Sequence, residues 1–590
     1  MAKRGQAKSS AKRTGAKAKQ ARKAAKASAR TSAKTTAKTN TKTKTNKEAA
    51  RKAKAAGGPA RKTASGAPTA KPGVAAPSPR TRAPSASPSR QSVAPKPTAW
   101  ATPGALTFAS GLEPIVRTSD TLSDRVSELS REVTFTVATT TVTGKPIQAQ
   151  KGLLTPDNLD EFRPAPDQRD AAIETLIAEG CKLIRKGRFT VTMSGSADVV
   201  EKLIGSKLVI QARARRSQVR AASMFATDFE PPFVHDLFVT PATSLSVPTK
   251  VSKNIDHLVF TPPPLFFAPP SANAPTVSYH HVDEASIRRL LNVPAGYDGT
   301  GVKVGLIDTG FYPHPYYSQR GLNIRAMPTA SAPDPQVDNY GHGSAVAYNI
   351  FATAPKAEVL GFQQTDPPQD ALEDAAEAGV DVISCSWGWD REQLFPALQA
   401  SLLSIINEGK IVLFAAGNGQ YAWPGSEPTV ISIGGVYWNE TGGFEASNYA
   451  SGYMSGMFQG RRIPDVCGLC GQLPKAIYIM MPTQPSNTMD NENAGNAFPD
   501  SDGTAADDGW VGASGTSSAT PQIAGVVALM VQKARAAGKV LTPAAAKTAL
   551  EQSCVAVTTG RNAMGFPASD QPNTAVGFGL VNAAAALKAV

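Results

Sequence analysis

The sequence predicts an α/β protein: a parallel sheet with helices on both faces over residues 280–590, a small α+β domain at 110–270 before it, and a basic tail at 1–105. Three observations carry this prediction. From about residue 279 near-continuous apolar runs alternate with helical patterns, as expected where a parallel sheet is covered on both sides. Between 110 and 270 shorter amphipathic strands and helices alternate. Residues 1–100 hold 26 Lys/Arg against a single acid, Glu48, and almost no large apolar side chain.

That first stretch has nothing to offset the entropy cost of ordering and reads as disordered. The whole chain carries +15, but outside residues 1–100 there are 36 basic and 46 acidic side chains, so a basic tail sits on an acidic body. The tail reads either as a salt-sensitive, sequence-independent contact with nucleic acid or as a solvated extension. No apolar run follows Met1-Ala-Lys-Arg, so no Sec-type signal peptide is read. Nor does any stretch approach the roughly 20 apolar residues of a membrane span. The expectation is a cytoplasmic protein, with a non-Sec export route left open. Five cysteines are too few, and odd in number, for a disulfide framework.

In the small domain Glu132–Ala138 alternates like a half-buried strand. Asp167–Leu183 reads as a helix with Ala171, Ile173, Leu176, Ile177 and Cys181 on its apolar side. Arg188–Met193 is a second strand, Val199, Val200, Leu203 and Ile204 mark a second helix, and Lys207–Gln211 is a third strand. Strand–helix–strand–helix–strand suggests a small sandwich of ferredoxin-like type. The Pro- and Phe-rich segment 231–275 should be extended, as a linker or a strand lying in a groove.

The large domain opens with the strand Val302–Ile307, which ends at Asp308-Thr309-Gly310. Gly341-His342-Gly343 starts a small-residue helix through Ala352. Strands follow at Ala357–Gly361, Val380–Cys385, Lys410–Ala416 and Thr429–Gly434, with helices at Pro368–Ala378 and Phe395–Asn407. A buried helix beginning near Pro521 carries Ile523, Val526, Val527 and Met530 at helical spacing. Ligand sites in such sheets lie beyond the carboxyl ends of the strands. Asp308 and Asn418 follow strand ends, while His342 and Ser517 stand at helix starts.

These four residues suit acyl transfer. A serine hydroxyl needs a base, here His342 between two glycines. The imidazole needs an acid to hold its tautomer, here Asp308. The tetrahedral intermediate needs preorganised donors, here the Asn418 amide and the N–H of Ser517. Each has a bland alternative: a strand-end turn, an Asn-Gly turn, a Ser/Thr cap on a core helix. Their joint occurrence in the order Asp, His, Ser favours chemistry.

Residues from about 285 to 590 resemble the catalytic domain of the subtilisin-like (subtilase) serine peptidases. The matching stretches are Val304–Gly310, Tyr340–Ala347, Ala415–Gly419 and Gly515–Gly525. The resemblance implies a serine endopeptidase in which Asp308 orients, His342 is base and then acid, Ser517 is nucleophile and Asn418 completes the oxyanion hole. It also implies that Ser386, Trp387 and Gly388 pair with the main chain of a polypeptide substrate. No cofactor is implied for catalysis. A structural Ca²⁺ is, for which Asp500, Asp502, Asp507 and Asp508 are the candidates. The small α+β domain resembles the intramolecular-chaperone propeptide that often precedes such domains. Self-processing would then fall between about Pro262 and His281.

The chain departs from the family pattern at Ser344, Ser518 and Trp387, the last of which should reshape a substrate subsite. Tyr478–Trp510 has no counterpart in the family pattern. Cys467-Gly-Leu-Cys470 has the spacing of half a metal site, but with no second pair it reads as two incidental thiols. A rival reading is a nucleic-acid-associated or peptide-binding protein with a latent hydrolase-like body. A sedolisin-type acid peptidase is disfavoured by His342, since those enzymes use a glutamate as base.

Overall fold

The computed structural model describes residues 132–149, 154–215, 234–242, 245, 247, 251–266, 280–439, 441–472, 477–494 and 504–590. The tail at 1–105, Asp500, Asp502 and most of the 262–281 segment expected to hold the processing site lie outside these. No helix among the described residues is long and apolar enough to cross a membrane.

The large sheet runs in the order Asn323–Ala326, Glu358–Gln363, Lys303–Asp308, Val382–Cys385, Ile411–Ala415, Ile431–Trp438. All these neighbours are parallel. Val466–Leu469 continues the sheet in parallel beside Ile431–Trp438, and Phe444–Ala446 adds an antiparallel strand there. One face is covered by the helices His342–Thr353 and Thr516–Ala536, the other by Gln369–Glu377 and Pro396–Asn407. The central strands are buried along their whole length, which is why they read as unbroken apolar runs rather than as alternation.

Three strands of this sheet were not anticipated, the short antiparallel Phe444–Ala446 among them. Asn323–Ala326 is an edge strand with exposed residues, and Val466–Leu469 contains the first cysteine of the Cys-x-x-Cys pair. Cys467 and Cys470 are both buried; their thiols donate to the Val576 carbonyl and the Tyr449 hydroxyl. Burial raises both thiols, Cys470 to about 11, so they stay protonated.

The small region forms a four-stranded antiparallel sheet in the order Lys182–Lys186, Val191–Gly195, Val133–Thr139, Ile255–Val259. With the helices Pro166–Ala178 and Ala197–Ile204 this is the ferredoxin-like βαββαβ arrangement. The first helix is shorter than its periodicity suggests. Gly180, at φ +98, ends it, and Lys182–Lys186 is a strand. Ile177, expected inward, is 50% exposed. The strand placed at Lys207–Gln211 does not join the sheet. It belongs to a separate hairpin, Leu208–Arg215 with Val234–Pro241, inserted before the true fourth strand. That fourth strand, Ile255–Val259, lies inside the Pro-rich stretch, where its composition hid it.

The small region packs on the helices Gln369–Glu377 and Pro396–Asn407. Leu159, Phe162 and Phe189 meet Ala400 and Leu403 in one apolar cluster. Beside it Arg185 pairs with Glu373, Asp374 and Glu377.

Candidate active site

Asp308 closes the strand Lys303–Asp308 and is fully buried. Its Oδ1 accepts the Thr309 amide at 2.8 Å and lies 2.7 Å from His342 Nδ1. A carboxylate on Nδ1 leaves the imidazole proton there and directs the lone pair to Nε2. His342 Nε2 is buried and has no hydrogen-bond partner among the described residues. His342 itself is 1% exposed. The rings of Phe266 and Tyr340 cover it, with centroids at 5.8 Å and 6.3 Å.

The two flanking glycines have different reasons to be there. Gly341 has φ +96, and a Cβ on it would meet Asn487 Nδ2 at 2.2 Å. A Cβ on Gly343 would lie 2.3 Å from the Gly310 carbonyl and 2.9 Å from Asp308 Cβ. The second glycine therefore lets the histidine helix approach the aspartate turn closely enough for the 2.7 Å contact.

Ser517 sits in the first turn of the helix Thr516–Ala536, which begins five residues earlier than Pro521 suggested. Proline inside a helix removes the N–H that would bond the carbonyl four residues back. That carbonyl belongs to Ser517, and the Ser386 hydroxyl donates to it at 3.0 Å. The Ser517 hydroxyl in turn donates to the Ser386 carbonyl at 3.4 Å, not to His342. Ser386 directly follows Cys385, which is in register with Ile307 on the Asp308 strand. Adjacent strand ends thus bring the aspartate turn and the serine turn together.

Asn418 follows the strand Ile411–Ala415. Its Oδ1 accepts from both the amide and the hydroxyl of Thr516, at 3.1 and 2.9 Å. This fixes the side chain so that its NH2 group points away from Thr516. The Ser517 amide stands at the positive end of a 21-residue helix. The structure therefore brings Asp308, His342, Ser517, Asn418 and Ser386 to one place.

Trp387 and Gly388 form a strand paired antiparallel with Leu265–Phe266 of the chain itself, with Phe266 opposite Trp387 and Leu265 opposite Gly388. The Trp387 side chain does not line that groove. It points inward, donating Nε1–H to the Ile307 carbonyl at 3.0 Å and meeting Phe414 edge to face. Trp389, not singled out from the sequence, holds the same segment by donating to the Pro262 carbonyl at 3.2 Å.

Asp338 was also missed. It is fully buried, and accepts the Thr309 hydroxyl at 2.7 Å and the Gly341 and Ser344 amides at 2.8 Å each. Burial raises its carboxyl, and the donors from Ser344, Thr309 and Gly341 oppose that rise. One carboxylate thus ties the turn after Asp308 to both ends of the turn around His342. An aspartate three residues before a glycine at a helix start is a capping pattern visible in sequence.

The calcium candidates that are described do not assemble a site. The Asp508 oxygens accept the Ala505 and Trp510 amides of their own turn. No group of three or more His, Cys, Asp or Glu able to hold a metal occurs among the described residues.

The Subtilase family model matches residues 299–579. Serine protease AprX of Bacillus subtilis (strain 168) is 27% identical over 272 residues, covering 40% of this chain and 58% of its own length. An intracellular serine protease of Paenibacillus polymyxa is 30% identical over 178 residues, 25% of this chain and 54% of its own. Among solved structures, fervidolysin from Fervidobacterium pennivorans, a keratinolytic enzyme related to subtilisin, aligns at TM-score 0.47 and 15% identity over 78% of this chain and 61% of that one. The chain thus spans somewhat over half the length of the two sequence relatives. The stretch 299–579, which carries all five clustered residues, is thus similar to the subtilase family.

Proposed function

We propose that the chain is a serine endopeptidase made as a self-processing precursor. The observation that carries this reading is the buried Asp308–His342 pair at 2.7 Å, set beside Ser517 where an extended segment lies along Trp387–Gly388. In this reading Ser517 Oγ attacks the scissile carbonyl and its proton passes to His342 Nε2. Asp308 stabilises the imidazolium through Nδ1. The Asn418 NH2 and the Ser517 amide receive the developing oxyanion. The imidazolium then protonates the leaving amine, and water on the same path releases the acyl group. The Ser517 hydroxyl must turn from the Ser386 carbonyl toward Nε2, and contacts of this kind commonly tighten only with substrate bound.

Polypeptide substrates would add a strand to Trp387–Gly388, with main-chain hydrogen bonds supplying affinity. The chain's own Leu265–Phe266 occupies that position in the precursor. Phe266 is opposite Trp387 and Leu265 opposite Gly388. We therefore place self-cleavage near this paired segment, between about Pro262 and His281. The small ferredoxin-like region would be the propeptide, held against the two helices that it covers.

The test is to express the full chain beside Ser517→Ala. A fluorophosphonate probe is expected to label the first and not the second, and only the first should yield a shorter product beginning within 262–281. Equal labelling of both would sink the peptidase reading. A product appearing in both chains, or beginning outside 262–281, would overturn self-processing.

A further inference from the structure

The segment without a counterpart in the family pattern, read from sequence only as an insertion, has a specific place. Its strands Ile477–Pro482 and Trp510–Ala513 pair antiparallel, and the short helix Thr488–Asn493 follows the first of them. Four consecutive residues before His342 give a backbone group to this segment. The Asp338 amide donates to Gln484 Oε1 at 2.8 Å. The Asn339 and Tyr340 carbonyls accept the Thr488 and Met489 amides at 3.0 Å each. The Gly341 carbonyl accepts the buried Thr483 hydroxyl at 2.9 Å, and Asn487 Nδ2 donates to that hydroxyl in turn. At its other end the segment runs from Ala513 through Ser514 and Gly515 directly into the first turn holding Ser517.

The base and the nucleophile are thus joined by a short antiparallel ladder as well as by the sheet beneath them. We propose that this ladder is a splint that positions His342 relative to Ser517, with Thr483 and Gln484 as its positioning residues. Thr483 holds the peptide preceding His342. Gln484 holds Asp338, which in turn holds Thr309 beside Asp308 and the Ser344 amide of the histidine helix. The splint touches neither substrate nor reacting atoms. It acts by restricting the one loop whose shift would lengthen both the Asp308–His342 contact and the path from Ser517 to Nε2. Positional errors of about 1 Å remote from the chemistry cost on the order of 10²-fold in rate.

The inference rests on the peptidase reading, and its test separates the two. Thr483→Val keeps the side-chain volume and removes the hydroxyl; Gln484→Leu removes the acceptor; Thr483→Ser restores the donor. For the first two, kcat is expected to fall roughly 10- to 100-fold with KM held within about twofold. Thr483→Ser should return to within a few-fold of wild type. In the Ser517→Ala background, amide exchange at Gly341 and Ser344 should quicken in Thr483→Val and Gln484→Leu. A loss of activity that follows only the folded fraction, with KM and the exchange unchanged and no recovery in Thr483→Ser, overturns the splint. A wild type with no Ser517-dependent turnover, together with the exchange effect, overturns the peptidase reading and leaves the splint standing as a structural element.

Discussion

The active site and the seam between the small region and the large sheet are both buried and polar, yet they are built in opposite ways. At the site, acceptors are met by backbone amides, hydroxyls and one imidazole, as around Asp308 and Asp338. At the seam, Arg185, 8% exposed, faces Glu373, 1% exposed, together with Asp374 and Glu377. Asp370 and Glu373 accept further bonds there from Thr192, Ser331, Ser401 and the Arg188 amide. Fixed dipoles hold a geometry without a net charge to release. A buried charge cluster holds only while every partner is present. The two constructions therefore differ in how they respond to the loss of one charged partner.

The largest expected effect comes from removing the seam's cation. Arg185→Met leaves Glu373 and its neighbours without their charge partner, and breaking a buried pair from one side costs ~3–5 kcal/mol. In the Ser517→Ala chain this should appear as reduced amide protection along Lys182–Gly195 and Gln369–Glu377, with Asn339–Ser344 unchanged. Equal loss in both places would mean that the seam and the site are one cooperative unit. Next comes Asn418→Ala. Losing one oxyanion donor costs ~10²–10³ in kcat, the size seen for such a donor in subtilisin. Stability should change little, because the Thr516 hydrogen bonds that the substitution removes sit at a helix start rather than in a charge cluster. A full kcat in the variant would remove Asn418 from the mechanism.

Much of this contrast could be read from the sequence, and the unread part has a physical pattern. Asp308, His342, Ser517 and Asn418 each sit where a strand ends or a helix starts, and glycine or proline marks that place in the chain itself. Apart from the local contacts of Asp338, what escaped reading acts across long sequence separations. Asp338 and Gln484 are 146 residues apart, and Arg185 and Glu373 are 188. No periodicity records such a contact. Trp387 illustrates the converse: its position in the strand was legible, but a strand residue can face either side, and here the indole fills the core. The fourth strand of the small sheet was hidden by the prolines around Ile255–Val259, and the hairpin before it drew the third strand away.

Acidity sharpens the comparison further. Burial raises Asp370 to about 6 and Glu373 to about 7, with the Thr192, Ser401 and Arg185 contacts opposing the rise; Asp374 is raised as well. Released into water, these carboxyls return to ordinary values near ~4. Below that range both states are protonated and the cluster adds no pH dependence. As pH climbs from about 4 to about 7 the separated groups ionise while the docked ones resist, so docking weakens progressively, and above about 7 the loss is complete. A cut precursor held together by the seam should therefore separate more readily at pH 8 than at pH 5, measured by gel filtration of the two fragments. Tighter association at pH 8 would show that Arg185 outweighs burial.

The smallest effect should come from the rim of the same seam. Arg188 reaches Ser404 on the helix Pro396–Asn407 and Glu408 at its C-cap, but Glu408 is 48% exposed. Water already competes for that carboxylate, so the pair adds at most about 1 kcal/mol. Arg188→Lys keeps the charge, gives up the two-pronged geometry and leaves the Arg188 amide on Glu373 in place. Fragment affinity should fall less than about fivefold, against the far larger loss from Arg185→Met. If the two variants weaken the seam equally, its strength lies in total charge rather than in burial. The contrast between a seam held by buried charge pairs and a site held by fixed dipoles would then lose its physical basis.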